Sequence, residues 1–454
     1  MEKINQWLKR YFLFVLTGLF LVIASSAHAI SLISDEETEN FLHATLRPIF
    51  KASGTSFNPR HIYIVNDKSL NAFVIDGNSM FVTVGTLIAA DSQNEISGVL
   101  AHETGHIQGG HILRHKIQAQ EVQRVALASM LLGGAAGLAA GRADVSIAAI
   151  LGSQGTAINS MLSYQISEER SADEAAVKLL KKINQSPVGM LNFMKKIQKQ
   201  NLVQGIEETS YFRTHPITAE RISFLEKATK ESNGAKFGPQ EKEFSRIKAK
   251  IFAYIEKPEQ TFIKYPPSDT SIEAQYARTI AYFKDNRIET ALNNIEKLVQ
   301  AEPNNPYFYE LKGQMLLETG KIKPAVSNYR KALDISPHSS LFKLNLVQAM
   351  LEDSPNAREQ QQIVDMLNQV LIYNPQSEAW ILLSRAYGLQ QNASGYNYAA
   401  AEYSFLIKDF TLAKKQAEQA LKSNPSPALK LKLDDLLSRI KEQEKEDIRN
   451  NPYH

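Results

Sequence analysis

Apolar positions in this 454-residue chain follow two rhythms, alternation in a few short runs near the start and helical spacing almost everywhere else. Ser34 to Phe50 sets an acidic first turn ahead of apolar residues at helical spacing and predicts a helix. "IYIVND", "NAFVID" and "SMFVTV" follow as strands, the last two flanking Asp76-Gly77-Asn78, a strong hairpin turn signal. Asn94 to His115 returns to helical periodicity and carries the densest histidine cluster of the chain. Val125 to Gly141 is uncharged and rich in Gly and Ala, with a second apolar stretch from Val145 to Leu151. That composition makes a weak membrane span and reads better as a packed or membrane-surface hairpin, hence a peripheral membrane contact. A further helix is predicted from about Ser160 to Ile183.

Near residue 255 the pattern breaks, and "YIEKPEQTFIKYPPSDT" reads as a linker over 256–269 through its prolines and lack of periodicity. Beyond it the chain repeats. Pro303 and Pro337 stand 34 residues apart, and Tyr309, Gly313, Leu316, Ala325, Tyr329 and Ala332 between them fall at tetratricopeptide positions. Ala291 and Pro303 mark the preceding unit. Trp380, Leu383 and Tyr387 open a later one, and Ala413, Ala417, Ala420 and Pro425 close the last helix. Pro375 arrives 38 residues after Pro337, because of an insertion near "EDSPNAREQ". Small residues recur where paired helices approach closely, and large ones fill the hole opposite. The predicted division is thus 1–29 leader, 30–255 first domain, 256–269 linker and 270–445 repeats.

Composition narrows the class. With 43% hydrophobic and 22% charged residues the chain is neither wholly disordered nor a polytopic membrane protein. Lys3, Lys9 and Arg10 precede an apolar run from Tyr11 to Ala24 and then "SSAHA", which reads as a secretory signal peptide cleaved after Ala29. Removing it takes away three basic groups and one acidic group, leaving a nearly neutral chain, so nucleic acid is excluded as a partner. There is no cysteine, so any metal must be held by histidines and carboxylates.

The chemistry lies in "AHETGH". On a helix, His102 and His106 are four residues apart and face one way, so both imidazoles reach one ion while Glu103 projects beside them. The H-E-x-x-H-x-x-G-x-x-H extension fails: Gly109 fits, but the final position is Ile112, and His111, one residue out, is expected to point elsewhere. The third ligand must then come from a second helix, where "SEERSADEAA" offers Glu168, Glu169 and Asp173. Glu169 and Asp173 share one face, so one can bind the metal while the other orients a ligand histidine.

With "SDEETE", "NAFVIDG", "VTVGTL", "HETGH", "YQISEERSAD" and "THPITAERI" in this order ahead of the repeats, the sequence resembles the M48 family of zinc metallopeptidases, in particular its periplasmic members with a C-terminal tetratricopeptide domain. The resemblance implies a mainly α protein, a zincin-like (gluzincin) metalloprotease domain with a small β-sheet followed by an α-helical tetratricopeptide solenoid. It implies one zinc ion per chain with His102, His106 and Glu169 as ligands, Glu103 as general base and Asp173 as supporting acid. His215 and Arg221 become active-site candidates, and a neutral His215 imidazole at the open metal position would keep the enzyme latent. Family members usually carry Ser-Arg after the tyrosine matching Tyr164, whereas this chain has Gln165-Ile166. The implied function is endoproteolysis of misfolded or misassembled envelope proteins in the periplasm, with the repeats contacting substrate or the outer-membrane β-barrel assembly machinery. The alternative is a chaperone-like assembly factor whose protease activity is secondary or dormant. Substrate is expected to lie extended along "SMFVTVG", adding a strand through its backbone, which implies broad specificity.

Overall fold

A computed structural model describes residues 31–55, 62–75, 79–114, 117, 166–204, 215–373 and 376–450. The expected leader, the turn expected at 76–78, the stretch from Val125 to Leu151, and Tyr164 with Gln165 lie outside these residues. Two compact units form, one from Glu39–Glu241 with the residues before 35, the other from Lys242–His454 with Asp35–Thr38. The boundary falls at 241/242 and not near 255.

In the first unit, β1 (Leu32–Ile33), β2 (Ile62–Val65), β3 (Ala72–Ile75) and β4 (Ser79–Thr83) form a sheet in the order β1-β2-β4-β3. β4 pairs antiparallel with β3, Ala72 opposite Val82, and parallel with β2, Tyr63 opposite Phe81. Alternation along β4 sends Met80 and Val82 into the core, while Phe81 on the other face stacks against Tyr63 and Phe73, both at 5.1 Å. A strand with a partner on each side has no backbone edge left for a peptide. The expectation that substrate pairs along "SMFVTVG" is therefore corrected: the edge on this side of the sheet is β3.

The described helices of this unit are α1 (Glu36–Ser53), α2 (Val84–Ala89), α3 (Gln93–Gln108), α4 (166–182), α5 (Val188–Gln204) and α6 (Ala219–Lys230), with α2 and α3 against the sheet. Helix α3 is the core of the unit, buried from Gln93 to His106. Ser92 caps it by accepting from the Glu95 N–H at 3.3 Å, and the Glu95 carboxylate accepts in turn from the Asp91 N–H at 3.0 Å. Gly105 lets α3 touch α4 backbone to backbone, since a Cβ there would lie 2.7 Å from the Ala172 carbonyl oxygen. Helix α3 ends at Gln108, earlier than the histidine-rich periodicity predicts, because Gly110 (φ +65°) turns the chain.

The second unit runs from α7 (Glu241–Ile255) through α8 (Pro258–Lys264) into helix pairs. Helix α8 lies inside the stretch read as a linker; Pro258 sits in its first turn, where proline suits a helix. The pairs are α9 (Ile272–Lys284) with α10 (Ile288–Ala301), α11 (Pro306–Glu318) with α12 (Ile322–Ile335), and α13 (Ser340–Glu352) with α14 (Ala357–Tyr373). Then come α15 (Ser377–Leu389) with α16 (Ala393–Leu406) and α17 (Phe410–Lys422) with α18 (Pro427–Asn450). The repeat logic holds in the packing. Ala325, Tyr329 and Ala332 are buried, and a Cβ at Gly313 would come within 2.9 Å of the Tyr329 ring. Helix α14, at 17 residues against 13 in α13, follows the insertion.

Phe308 is wholly buried and meets the Tyr276 ring edge-on at 5.0 Å. Phe308→Ala is expected to cost about 3–5 kcal/mol in urea denaturation of the repeat transition; a loss below about 1 kcal/mol would contradict this packing.

Candidate metal centre

Three segments bring the polar residues of the first unit together. His102 and His106 project from α3, Glu169 and Asp173 from α4, and His215 from the chain just before α6. Thr218 caps α6 by accepting from the Arg221 N–H at 3.3 Å, which sets Arg221 in the first turn facing the acids of α4. The Gly105–Ala172 contact does the rest, because Ala172 directly precedes Asp173.

The donor atoms of His102, His106, Glu169 and His215 all lie within 4.8 Å of one another, and all four residues are buried. The Nε2 atoms of His102 and His106 are 3.1 Å apart. Glu169 Oε1 is 3.1 Å from His106 Nε2 and 2.9 Å from His215 Nδ1, while Oε2 is 3.3 Å from His102 Nε2. On the far side of the His102 ring, Nδ1 stands 3.0 Å from Asp173 Oδ1. Arg221 clasps Asp173 through Nε and Nη2 at 2.7 and 2.9 Å, reaches Glu169 Oε2 through Nη1 at 2.8 Å, and donates to the Pro216 carbonyl at 2.8 Å. Glu103 is buried next to the group, its Oε1 3.7 Å from His215 Nε2 and without a hydrogen-bond partner.

Charge in this cavity is balanced by position. Burial alone would lower the His102 pKa, but the Glu169 charge and the Asp173 hydrogen bond outweigh it and raise it to about 10. Burial pushes His106 down to about 3. Burial raises Glu103, whereas Glu169 is held well below the carboxylate range against burial by the charges of His215 and His102. Asp173 is likewise lowered against burial, by hydrogen bonds from His102 and Arg221. Two ionised acids thus retain positive charge at a point ringed by imidazole nitrogens. That demand, and a donor set of three nitrogens and one oxygen without sulfur, suits zinc.

All seven residues singled out by sequence, His102, Glu103, His106, Glu169, Asp173, His215 and Arg221, converge here. Glu168, adjacent to Glu169, does not; it pairs with Arg114 at 3.3 Å. His111 stays out of the donor group, as expected, but it is buried behind it, with Nδ1 2.9 Å from Nδ1 of His106. Helical geometry carried past Gln108 misplaces it, and the Gly109-Gly110 pair was the available signal. Among the described residues, no helix is long and apolar enough to cross a membrane.

Residues 36–229 match the family described as peptidase family M48. The chain is 22% identical over 383 residues to the beta-barrel assembly-enhancing protease of Escherichia coli K12, covering 82% of this chain and 76% of that protein. It is 30% identical over 183 residues to the metalloprotease LoiP of the same organism, 40% of this chain and 68% of that one. A solved TPR protein of Thermus thermophilus aligns at 16% identity and TM-score 0.24, covering 37% of this chain and 99% of the other. The family match spans β2 to β4, the motif helix and the acid helix, and LoiP is matched over more than two thirds of its length. The chain belongs to peptidase family M48, a family of metallopeptidases.

Proposed function

We propose that this chain is an exported zinc endopeptidase that degrades misfolded or misassembled proteins of the bacterial envelope, with its repeats engaging substrate or the outer-membrane β-barrel assembly machinery. The observation that carries it is the buried group of three imidazoles and one carboxylate set beside Glu103. The periplasmic setting rests on the expected leader and on relatives called beta-barrel assembly-enhancing proteases.

His102, His106 and Glu169 would hold the ion, with Asp173 backing His102. Arg221 fixes both acids and is a positioning residue. Zinc bound there supplies polarisation of the scissile carbonyl and a lowered pKa for water. Glu103 accepts a proton at its unpartnered Oε1 and passes it to the leaving amine. Burial, which raises its pKa, helps it hold that proton between the two transfers. An extended peptide adds to the β3 edge, next to α3, and backbone pairing reads little of its sequence.

His215 would supply a fourth donor, and a zinc site with four protein donors is closed. In this reading the resting enzyme is latent until His215 withdraws. The same closure favours the second reading, an assembly factor of chaperone type whose protease is dormant for much of its working life.

Glu103→Gln is expected to keep zinc and lose about 100- to 10,000-fold in cleavage of an unfolded protein; full biological function in that variant would favour the chaperone reading. His215→Ala should keep zinc and raise basal proteolysis on the order of tenfold, and unchanged or lower activity would contradict latency by this residue. Unfolded peptide added to the Glu103→Gln chain should slow amide exchange across Ala72–Ile75; protection elsewhere in the sheet but not there would contradict strand addition at β3.

A further inference from the structure

The two imidazoles on α3 turn Nε2 toward the donor group and Nδ1 away from it, and each outward Nδ1 has a buried partner. For His102 the partner is Asp173 at 3.0 Å. For His106 it is Nδ1 of His111 at 2.9 Å, a residue that the mechanism above does not use.

An imidazole that gives its Nε2 lone pair to a metal carries its proton on Nδ1, and an acceptor for that proton fixes both tautomer and ring plane. The acceptor here must be the Nδ1 lone pair of His111, which places the His111 proton on its own Nε2. A second observation comes from Gly109. Its φ of −73° is open to any residue, so the backbone gives no reason for glycine. The space does. A Cβ on Gly109 would run into the His111 ring, 2.7 Å from Cδ2 and 2.8 Å from Cε1, with Nε2 nearer still. Gly110, at φ +65°, then turns the chain so that His111 comes back over the end of α3.

We infer that His111 is a positioning residue for the metal, holding His106 by accepting its Nδ1 proton, and that Gly109 is small in order to admit the His111 ring. The two ligand histidines are then held differently, His102 by an anion and His106 by a neutral ring. Behind the two ligand histidines, negative charge is confined to the α4 side. The inference rests on the zinc-binding reading above and adds a residue to it.

The test is the zinc dissociation constant of the full chain by chelator competition, with thermal unfolding of each metal-free variant as the fold control. His111→Phe keeps a ring but no acceptor, and should weaken zinc by about 10- to 100-fold. His111→Asn sets an amide oxygen near the former Nδ1 position and should recover affinity to within about threefold of wild type. Gly109→Ala should weaken zinc like His111→Phe, although alanine is the better helix former. Wild-type affinity in both His111→Phe and Gly109→Ala, or equal loss in His111→Phe and His111→Asn, would overturn the inference while leaving the zinc site standing. A wild-type chain that binds no zinc overturns the parent reading and this one with it.

Discussion

The centre depends on how closely two helices meet. At Gly105 the backbone of α3 reaches the backbone of α4 at Ala172, at a distance no side chain would allow. That approach lets Glu169 span His102 and His106 and lets Asp173 stand behind His102. Because all these groups are buried, each charge needs a partner inside the unit, and Arg221 supplies it from α6. Packing and electrostatics are therefore one problem here. A wider helix separation would leave two acids in the core without the contacts that keep them ionised.

Much of the centre was legible because its spacing is helical. His102 and His106 sit four apart on α3, as Glu169 and Asp173 do on α4, so local periodicity alone put each pair on one face. His111 was lost because that reasoning ran past the end of the helix, where Gly110 changes the direction of the chain. Strand order is a different kind of failure. "SMFVTV" shows a strand and its alternation, but nothing local shows that β2 pairs parallel on its other side and leaves β3 at the edge. Helix α8 was hidden by Pro258 and its short length, which read as linker. The repeats were legible in residues such as Gly313 and Tyr329, whose sizes are complementary across a helix pair.

The two units divide the work by the kind of surface each can offer. The first gathers buried histidines and carboxylates around one point, with β3 at the edge of the described sheet next to the motif helix. The second spends its small and large residues on stacking helix pairs, and such arrays present extended surfaces to protein partners. Under the proposed closure by His215, control would rest on access to the metal, so partner choice and activity need not be encoded in the same residues.

Zinc K-edge absorption on the purified full chain bears most directly on whether this one ion is held as described. One zinc per chain in a shell of nitrogen and oxygen at about 2.0–2.1 Å, lost or rearranged in Glu169→Gln, is the expected result. A spectrum of loosely bound, water-rich zinc, or one indifferent to Glu169, would contradict it.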